Sequence, residues 1–169
     1  TGELWRSGYD MTPAEIASET DRLWAQVEPL YEELHCYTRE KLKTKGQWVA
    51  EAQAAFNAYI RLRDQGKPCI CCGRPTAGDP NSVDAGHYRS RGSAPHLRFD
   101  ERNTHSQLKR CNRYHFDIAG YRSGLIERIG LDKVQALEAD QTPKHYTVDD
   151  LRAIRDTYRA KARELKKIQ

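Results

Sequence analysis

The spacing of apolar residues along the first third of the chain predicts a long amphipathic helix. Thr12-Pro13-Ala14-Glu15 is typical of a helix start, because threonine caps, proline suits the first turn and glutamate closes a capping box. From there to about Lys45, with a bend near Pro29, apolar residues recur at intervals of three, four or seven: Ile16, Leu23, Val27, Leu30, Leu34 and Tyr37. We expect this stripe to pack on the chain's own core, and the alternative is a coiled-coil or dimer seam.

The same periodicity predicts the other helices. The second helix is expected from Gln47 to about Gln65, where Gly66-Lys67-Pro68 ends it. Three further helices are predicted: Ile118–Ile129, which Gly130 ends, Asp132–Ala139, and a last helix from Thr147 to the C-terminus.

The middle of the chain has a different pattern. Residues 73–82, rich in glycine and proline, are predicted to form a loop. Val83–Tyr88 and Leu97–Phe99 are short strand candidates, and a helix is expected to begin near Thr104 and to carry Lys109–Arg113. The predicted fold is therefore α+β and mostly helical, with three regions: N-terminal helices (1–66), a small α+β core (67–130) and a C-terminal helical extension (131–169).

Composition restricts the class of protein. A hydrophobic content of 38% and a mean hydropathy of −0.88 describe a polar chain, without a signal peptide or an apolar run long enough to cross a membrane. We therefore expect a cytoplasmic protein that does not bind membranes. Three of the five cysteines fall within Cys69–Cys72, a spacing that favours metal binding over a disulfide scaffold.

Positive charge is concentrated in residues 85–115. This stretch holds seven basic residues against Asp100 and Glu101, although the net charge of the whole chain is only +4. Such a concentration favours a phosphate-backbone partner, and the alternative is a solvated basic face. The candidate DNA-binding residues are Arg89, Arg91, Arg98, Arg102, Lys109, Arg110 and Arg113.

The residues that carry chemistry lie between Cys69 and Asn112. Asp84 and His87 follow the cysteine pair, then Asn103, and Cys111 stands directly before Asn112. Hydrolysis of a phosphodiester needs a base for the attacking water and a cation for the phosphate and leaving oxygen. A neutral imidazole can act as that base near pH 7, which makes His87 the candidate. Carboxylate and amide oxygens suit Mg²⁺ or Mn²⁺.

Residues 47–130 resemble the NinG (Rap) recombination endonucleases of lambdoid phages, a branch of the HNH/His-Me finger nucleases. The matching segments are A-F-N-A-Y-I-R-L-R-D, G-K-P-C-I-C-C-G, D-A-G-H-Y-R-S-R-G-S-A-P-H-L-R-F, E-R-N-T-H-S-Q and Y-R-S-G-L-I-E-R-I-G. The resemblance implies a ββα-metal core stapled by zinc, and a metal-dependent endonuclease acting on branched DNA such as Holliday junctions and D-loops. If the protein is phage-encoded, it acts in the host cytoplasm.

The resemblance also implies roles for individual residues. His87 is expected to be the general base, Asn112 and Asp84 ligands of a catalytic Mg²⁺ or Mn²⁺, and Asn103 the residue that orients His87 and its loop. His115 is either a further ligand of that metal or a surface histidine. Cys69, Cys72 and Cys111 are expected to hold a structural Zn²⁺.

Two features depart from the family pattern. Positions 84 and 87 of a regular strand face opposite sides. Either Gly86 permits a bulge that brings both side chains inward, or Asp84 is not a direct ligand of the metal. The family has a second Cys-x-x-Cys, but position 108 is leucine in this chain. We expect His105 to supply the fourth zinc ligand, with Cys71 as a less favoured substitute and an empty, degenerate site as the remaining alternative.

The sequence is compatible with three functions. The favoured one is a structure-selective endonuclease whose products carry 5′-phosphate and 3′-hydroxyl ends. It is expected to act as a homodimer, because resolving a four-way junction takes two symmetrical nicks. The alternatives are a zinc-stapled DNA-binding module without catalysis, and an HNH nuclease that cuts ordinary duplex DNA.

Overall fold

The computed structural model describes residues 12–76 and 82–168, so part of the predicted 73–82 loop lies outside the described residues. The chain divides into two units, residues 1–44 and Lys45–Gln169. The elements, in order, are α1 (Pro13–Leu42), α2 (Lys45–Arg63), β1 (Val83–His87), a 3-10 turn (Pro95–Leu97), β2 (Thr104–Leu108), α3 (Lys109–Arg113), α4 (Ile118–Ile129), α5 (Leu131–Ala139) and α6 (Val148–Ile168).

Helix α1 forms the first unit. Its predicted capping box is present: the Glu15 backbone N–H donates to Thr12 Oγ1 over 3.3 Å, and the Thr12 N–H donates to the Glu15 carboxylate over 2.7 Å. Pro29 lies inside the helix. None of its residues is buried, and Leu30, for example, is 66% exposed. Within the described part of this unit, the apolar stripe therefore has no other element to pack on. Lys43 and Thr44 form the non-helical link between the two helices. Gly46 lies inside α2 rather than between the helices.

In the second unit, α2 and α6 pack side by side and run in the same direction. Arg155 stacks on Trp48 near the start of both helices, and Tyr158 packs edge-on against Phe56 with ring centroids 4.8 Å apart. Helix α2 thus belongs to the second unit, which begins at Lys45. The core between α2, α6 and the sheet consists of Trp48, Ala52, Ala55, Phe56, Ile60, Ala85, Phe99, Leu151 and Tyr158.

Strands β1 and β2 form a two-stranded antiparallel ladder, with Asp84 opposite Gln107 and His87 opposite Thr104. The predicted second strand at Leu97–Phe99 is wrong, because Pro95–Leu97 forms a 3-10 turn. The second strand is instead Thr104–Leu108, where we expected the start of a helix. Its sequence, T-H-S-Q-L, carries no alternation of apolar and polar residues, yet Thr104 to Gln107 are all buried. Both of its faces are covered, so the period-2 signal is lost.

A second core lies on the other side of the sheet, where the Cys69–Cys72 segment meets α4 and α5. The Ile70 backbone N–H donates to the Ser106 carbonyl of β2 over 3.2 Å. Helix α4 approaches this segment very closely: a Cβ at Gly124 would lie 2.1 Å from the Ile70 carbonyl oxygen. The predicted helices Ile118–Ile129 and Asp132–Ala139, and the stop at Gly130, are confirmed within a residue. In the part of the chain that is described, no helix is long and apolar enough to span a bilayer.

We expect Gly124→Ala to destabilise the fold by about 1–3 kcal/mol, because the added methyl group must push α4 away from a backbone carbonyl that cannot rotate aside. Urea unfolding of both proteins measures the difference in free energy. The matched control is Gly92→Ala, whose added Cβ has no neighbour closer than 3.8 Å. A Gly124→Ala protein as stable as the native chain would contradict this account of the packing.

Candidate functional site

A cleft of about 510 Å³ lies along the unpaired edge of β1. Helix α2 contributes Asn57 and Arg61 to one side, while α3 contributes Asn112 and Arg113 to the other. Three of the predicted site residues, Asp84, His87 and Asn112, line this one cleft. The complete lining is Asn57, Arg61, Asp84, Ala85, His87, Tyr88, Ser90, Arg91, Asn112, Arg113 and Phe116.

The position of the cleft explains how Asp84 and His87 share it. The ladder is regular from Val83 to His87, so the alternative of a bulge at Gly86 is not what the structure has. His87 lies on the α2 side, where its ring centroid is 6.3 Å from that of Phe56. Asp84 lies on the α3 side, against Asn112. A cleft that follows the free edge of a strand is open to both faces, so residues of opposite orientation can both border it.

Asp84 and Asn112 form the oxygen-bearing part of the site. The Asn112 Nδ2 donates to Asp84 Oδ2 over 3.1 Å, which leaves the amide oxygen of Asn112 for another partner, while Asp84 Oδ1 accepts from Arg113 Nη2 over 3.5 Å. The Asp84 side chain is 22% exposed and also pairs with Arg113, whose Nε lies 3.1 Å from Oδ2. An adjacent carboxylate and amide at the border of an open cleft fit a Mg²⁺ or Mn²⁺ ion, which would complete its shell with water.

His87 is held in one tautomer. Its Nε2 lies 3.0 Å from the carbonyl oxygen of Arg98, and because a carbonyl only accepts, Nε2 carries the proton. Nδ1 is then the nitrogen that can take up a proton. Burial is the largest influence and lowers the pKa of His87, the carbonyls of Arg98 and Ala85 raise it, and the charges of Arg91 and Arg98 lower it further. The net effect is a pKa below the ordinary value of about 6.5, so the imidazole is mostly neutral at neutral pH.

Asn103 holds the loop behind His87 without touching the imidazole. It is fully buried, accepts the Arg89 backbone N–H over 2.8 Å, and donates to the carbonyls of Arg89 and Leu97 over 3.0 and 3.2 Å. The loop that it holds also carries Arg98, whose carbonyl fixes the His87 ring. Asn103 therefore acts on the position of His87 only through this loop.

The predicted basic residues separate into two groups. Arg91 and Arg113 line the cleft, and Lys109 and Arg110 belong to α3. The other guanidinium groups are engaged elsewhere: Arg89 donates to carbonyls at the end of α5, Arg98 to Gln53, and Arg102 to Asp100 over 2.6 Å. A DNA contact of Arg89 stays a prediction, and it would require the guanidinium group to leave these carbonyls.

Sequence reasoning missed Arg61, Asn57 and Phe116 as residues of the cleft. For two of them, the spacing in the sequence indicates a shared position on one helix. Asn57 and Arg61 are four residues apart in α2, so they share a helix face, and Arg61 lies in the last turn of the helix. Only the placement of α2 beside β1 shows that this face borders the cleft.

A separate group of cysteines lies on another side of α3, away from the cleft. The sulfur atoms of Cys69, Cys72 and Cys111 all lie within 4.8 Å of one another. The Leu108 N–H donates to Cys69 Sγ over 3.3 Å, and Gly73 turns the chain with a φ of +66°. Burial and the neighbouring sulfur atoms of Cys72 and Cys69 raise the pKa of the Cys111 thiol, since a second thiolate at this distance is repelled. A dication would remove that repulsion, so the donor set fits a metal such as zinc.

Two predicted metal ligands lie elsewhere. His105 is not in the cysteine group, because its strand position directs it to the buried carboxylate of Asp64, 3.4 Å from Nδ1. Cys71 donates to the Asp117 carbonyl over 3.5 Å and is not in the group either. The assignment of His105 to the zinc site is therefore wrong in this structure. His115 does not line the cleft with Asp84 and Asn112; it lines a pocket with Cys72 and Cys111.

Comparison with known proteins gives a consistent family assignment. Residues 17–168 match the family described as "Bacteriophage Lambda NinG protein". Over 126 residues, 74% of this chain, it is 43% identical to Protein ninG of Salmonella phage P22 and to that of Escherichia phage 933W, in each case covering 61% of the relative. It is 40% identical to Protein ninG of Escherichia phage lambda over the same length, 60% of that protein.

The chain thus spans about three-fifths of the length of these relatives. No solved structure matches it. Because the family match covers nearly the whole chain, the chain belongs to the NinG family of bacteriophage proteins.

Proposed function

We propose that this chain is a metal-dependent endonuclease of the ββα-metal type, which cuts branched recombination intermediates such as Holliday junctions and D-loops. The observation that carries the proposal is the meeting of Asp84, His87 and Asn112 in one cleft bordered by Arg61, Arg91 and Arg113. A base, a pair of oxygen ligands and a positive border are the groups that phosphodiester hydrolysis requires. In this proposal β1, β2 and α3 form the ββα core.

The residues have distinct roles in the reaction. His87 Nδ1 accepts a proton from water, and the water oxygen forms a bond to phosphorus as the bond from phosphorus to the 3′-oxygen breaks. The leaving oxygen takes up a proton from solvent, which gives 5′-phosphate and 3′-hydroxyl ends. Asp84 and Asn112 would hold Mg²⁺ or Mn²⁺, whose charge neutralises the phosphate and leaving oxygen. The lowered pKa of His87 keeps the base unprotonated at neutral pH.

One ion pair favours a second candidate function, a DNA-binding module without catalysis. Arg113 binds the carboxylate of Asp84 through Nε and Nη2, at 3.1 and 3.5 Å, and so neutralises the group that a metal would need. In the nuclease, Arg113 must turn from Asp84 to a DNA phosphate when the metal binds. In the binding module, the ion pair persists.

We expect the purified protein to cut a labelled four-way junction in Mg²⁺ or Mn²⁺, to leave it intact in EDTA, and to cut a matched linear duplex much more slowly. His87→Ala should lower the cleavage rate by at least about 100-fold while junction binding is retained, because only the proton acceptor is lost. Electrophoresis of the end-labelled strands measures both rates. Tight binding without cleavage in either metal would support the binding module, and equal cutting of both DNAs would support a duplex nuclease.

The basic border of the cleft gives a prediction about salt. Arg91 lies in the cleft, whereas Arg102 is held by Asp100 away from it. We expect Arg91→Gln to weaken junction binding and to lower the slope of log affinity against log salt by about 1, because one phosphate contact is lost. Arg102→Gln is the matched control and should leave the slope unchanged. Equal slopes for all three proteins in a filter-binding titration would remove Arg91 from the interface.

The exposed stripe of α1 supports the proposal of a homodimer. Ile16, Leu23, Leu30 and Tyr37 are spaced by seven residues, and Val27 and Leu34 fill the alternate positions of the same face. This 3-4 alternation is typical of a coiled-coil seam, and these six side chains are between 48 and 66% exposed. A second copy of α1 is the occupant that such a seam fits, and a dimer would provide the two sites that symmetrical nicking requires.

We expect the chain to be a dimer by light scattering, and Leu23→Glu/Leu30→Glu to be a monomer with an intact second unit, since two charges on the seam must be desolvated on pairing. Glu19→Lys/Glu33→Lys, which changes charges beside the stripe, controls for the substitutions themselves and should remain largely dimeric. A native monomer at micromolar concentration would show that α1 does not pair with itself.

A further inference from the structure

We propose that His115 is the fourth ligand of a zinc ion held by Cys69, Cys72 and Cys111, which makes a Cys₃His site in place of one that uses position 108. The inference does not depend on the proposed nuclease activity, because it concerns a pocket that shares no lining residue with the cleft. It also reassigns His115, which the sequence suggested as a ligand of the catalytic metal.

The chain just past α3 keeps His115 close to Cys111. The helix ends at Arg113, and the N–H groups of Tyr114 and His115 both donate to the Arg110 carbonyl over 3.0 Å, so the backbone turns back toward the helix there. His115 accordingly lines a pocket of about 350 Å³ together with Cys72 and Cys111.

The other donors around this pocket are already engaged. Cys71 is buried and donates to the Asp117 carbonyl. The Asp117 carboxylate caps α4 by accepting the Gly120 N–H over 3.0 Å. At position 108 the backbone N–H donates to Cys69 Sγ, while the leucine side chain packs on the apolar core and offers no donor atom. The imidazole of His115 is exposed and has no hydrogen bond to the described residues.

The chemistry of the set agrees with zinc. Structural zinc is four-coordinate and tetrahedral, and Cys₃His is one of its regular donor sets. The two ligand pairs would be Cys69-x₂-Cys72 and Cys111-x₃-His115, both at spacings that zinc sites use. In the structure the ring nitrogens of His115 are not within 4.8 Å of all three sulfur atoms, so the exposed side chain has to turn toward them when the ion binds. His105 would in addition have to leave the buried carboxylate of Asp64.

Cobalt substitution tests the proposal, because the visible spectrum of tetrahedral Co²⁺ reports the number of thiolate ligands without any assay of activity. We expect the full chain to bind one Zn²⁺, measured by metal analysis after dialysis, and its Co²⁺ form to show a spectrum of three thiolates and one nitrogen. His115→Ala should lower zinc affinity at least about tenfold in competition with a chromophoric chelator, and added imidazole should restore the native spectrum. His115→Cys should shift the spectrum to that of four thiolates.

The matched control is His145→Ala, which removes another exposed histidine and should leave spectrum and affinity unchanged. Circular dichroism of the metal-loaded variants checks that they are folded, and His115→Cys keeps the test valid if the alanine variant is not. A His115→Ala protein with the native spectrum and affinity would overturn the proposal. A native chain that binds no zinc, or a His115→Cys spectrum identical to the native one, would overturn it too.

Discussion

The second unit depends on one buried carboxylate. The side chain of Asp64, directly after α2, is completely inaccessible to solvent, and its oxygens accept from the Ser106 backbone N–H over 3.0 Å and from Arg63 over 2.9 Å. Lys67 and Arg128 add ion pairs at 3.1 and 3.4 Å. Burial raises the pKa of this carboxyl, but His105, Arg63 and the Ser106 amide together hold it well below its usual range. A buried charge that lost these partners would be strongly destabilising.

The same carboxylate joins the two cores. Ser106 belongs to β2, Arg128 to α4, and Arg63 to α2, so the three elements meet at a single group. Arg128 also donates to the Pro68 carbonyl, at the start of the cysteine segment, and Arg63 to the Thr104 carbonyl. Strand β2 is thereby fixed between a core made with α2 and α6 and a core made with α4 and α5. Strand β1 pairs with it on one edge, and the other edge is left for the cleft.

The sequence predicts the parts of this fold that carry their own periodicity. Helices α4 and α5 were placed within a residue because each combines an apolar face with a glycine or a cap at its end. Strand β2 could not be found, since its polar residues are buried by their surroundings and not by their own pattern. Even buried, the hydroxyls of Thr104 and Ser106 have no hydrogen-bond partner among the described residues.

In the candidate site, too, local sequence predicts some features and long-range packing decides the others. The residue types at Asp84, His87 and Asn112 indicated phosphodiester chemistry, and their meeting in one cleft depends on the free edge of β1. The contribution of α2 and the diversion of Arg89 to α5 are long-range contacts, about which local sequence is silent. His105 lies against Asp64 and not among the cysteines because a strand, rather than a helix, precedes α3.

Helix α3 is only five residues long, and a helix of that length does not persist by its own hydrogen bonds. Cys111 and Asn112 are neighbours in it, one directed to the sulfur group and the other to the cleft. Ions bound on these two sides of the helix would therefore be thermodynamically linked: an ion that orders α3 from the cysteine side would lower the entropy lost when a second ion binds from the asparagine side. Linkage is reciprocal, so an ion in the cleft would in turn tighten the binding of the ion at the cysteines.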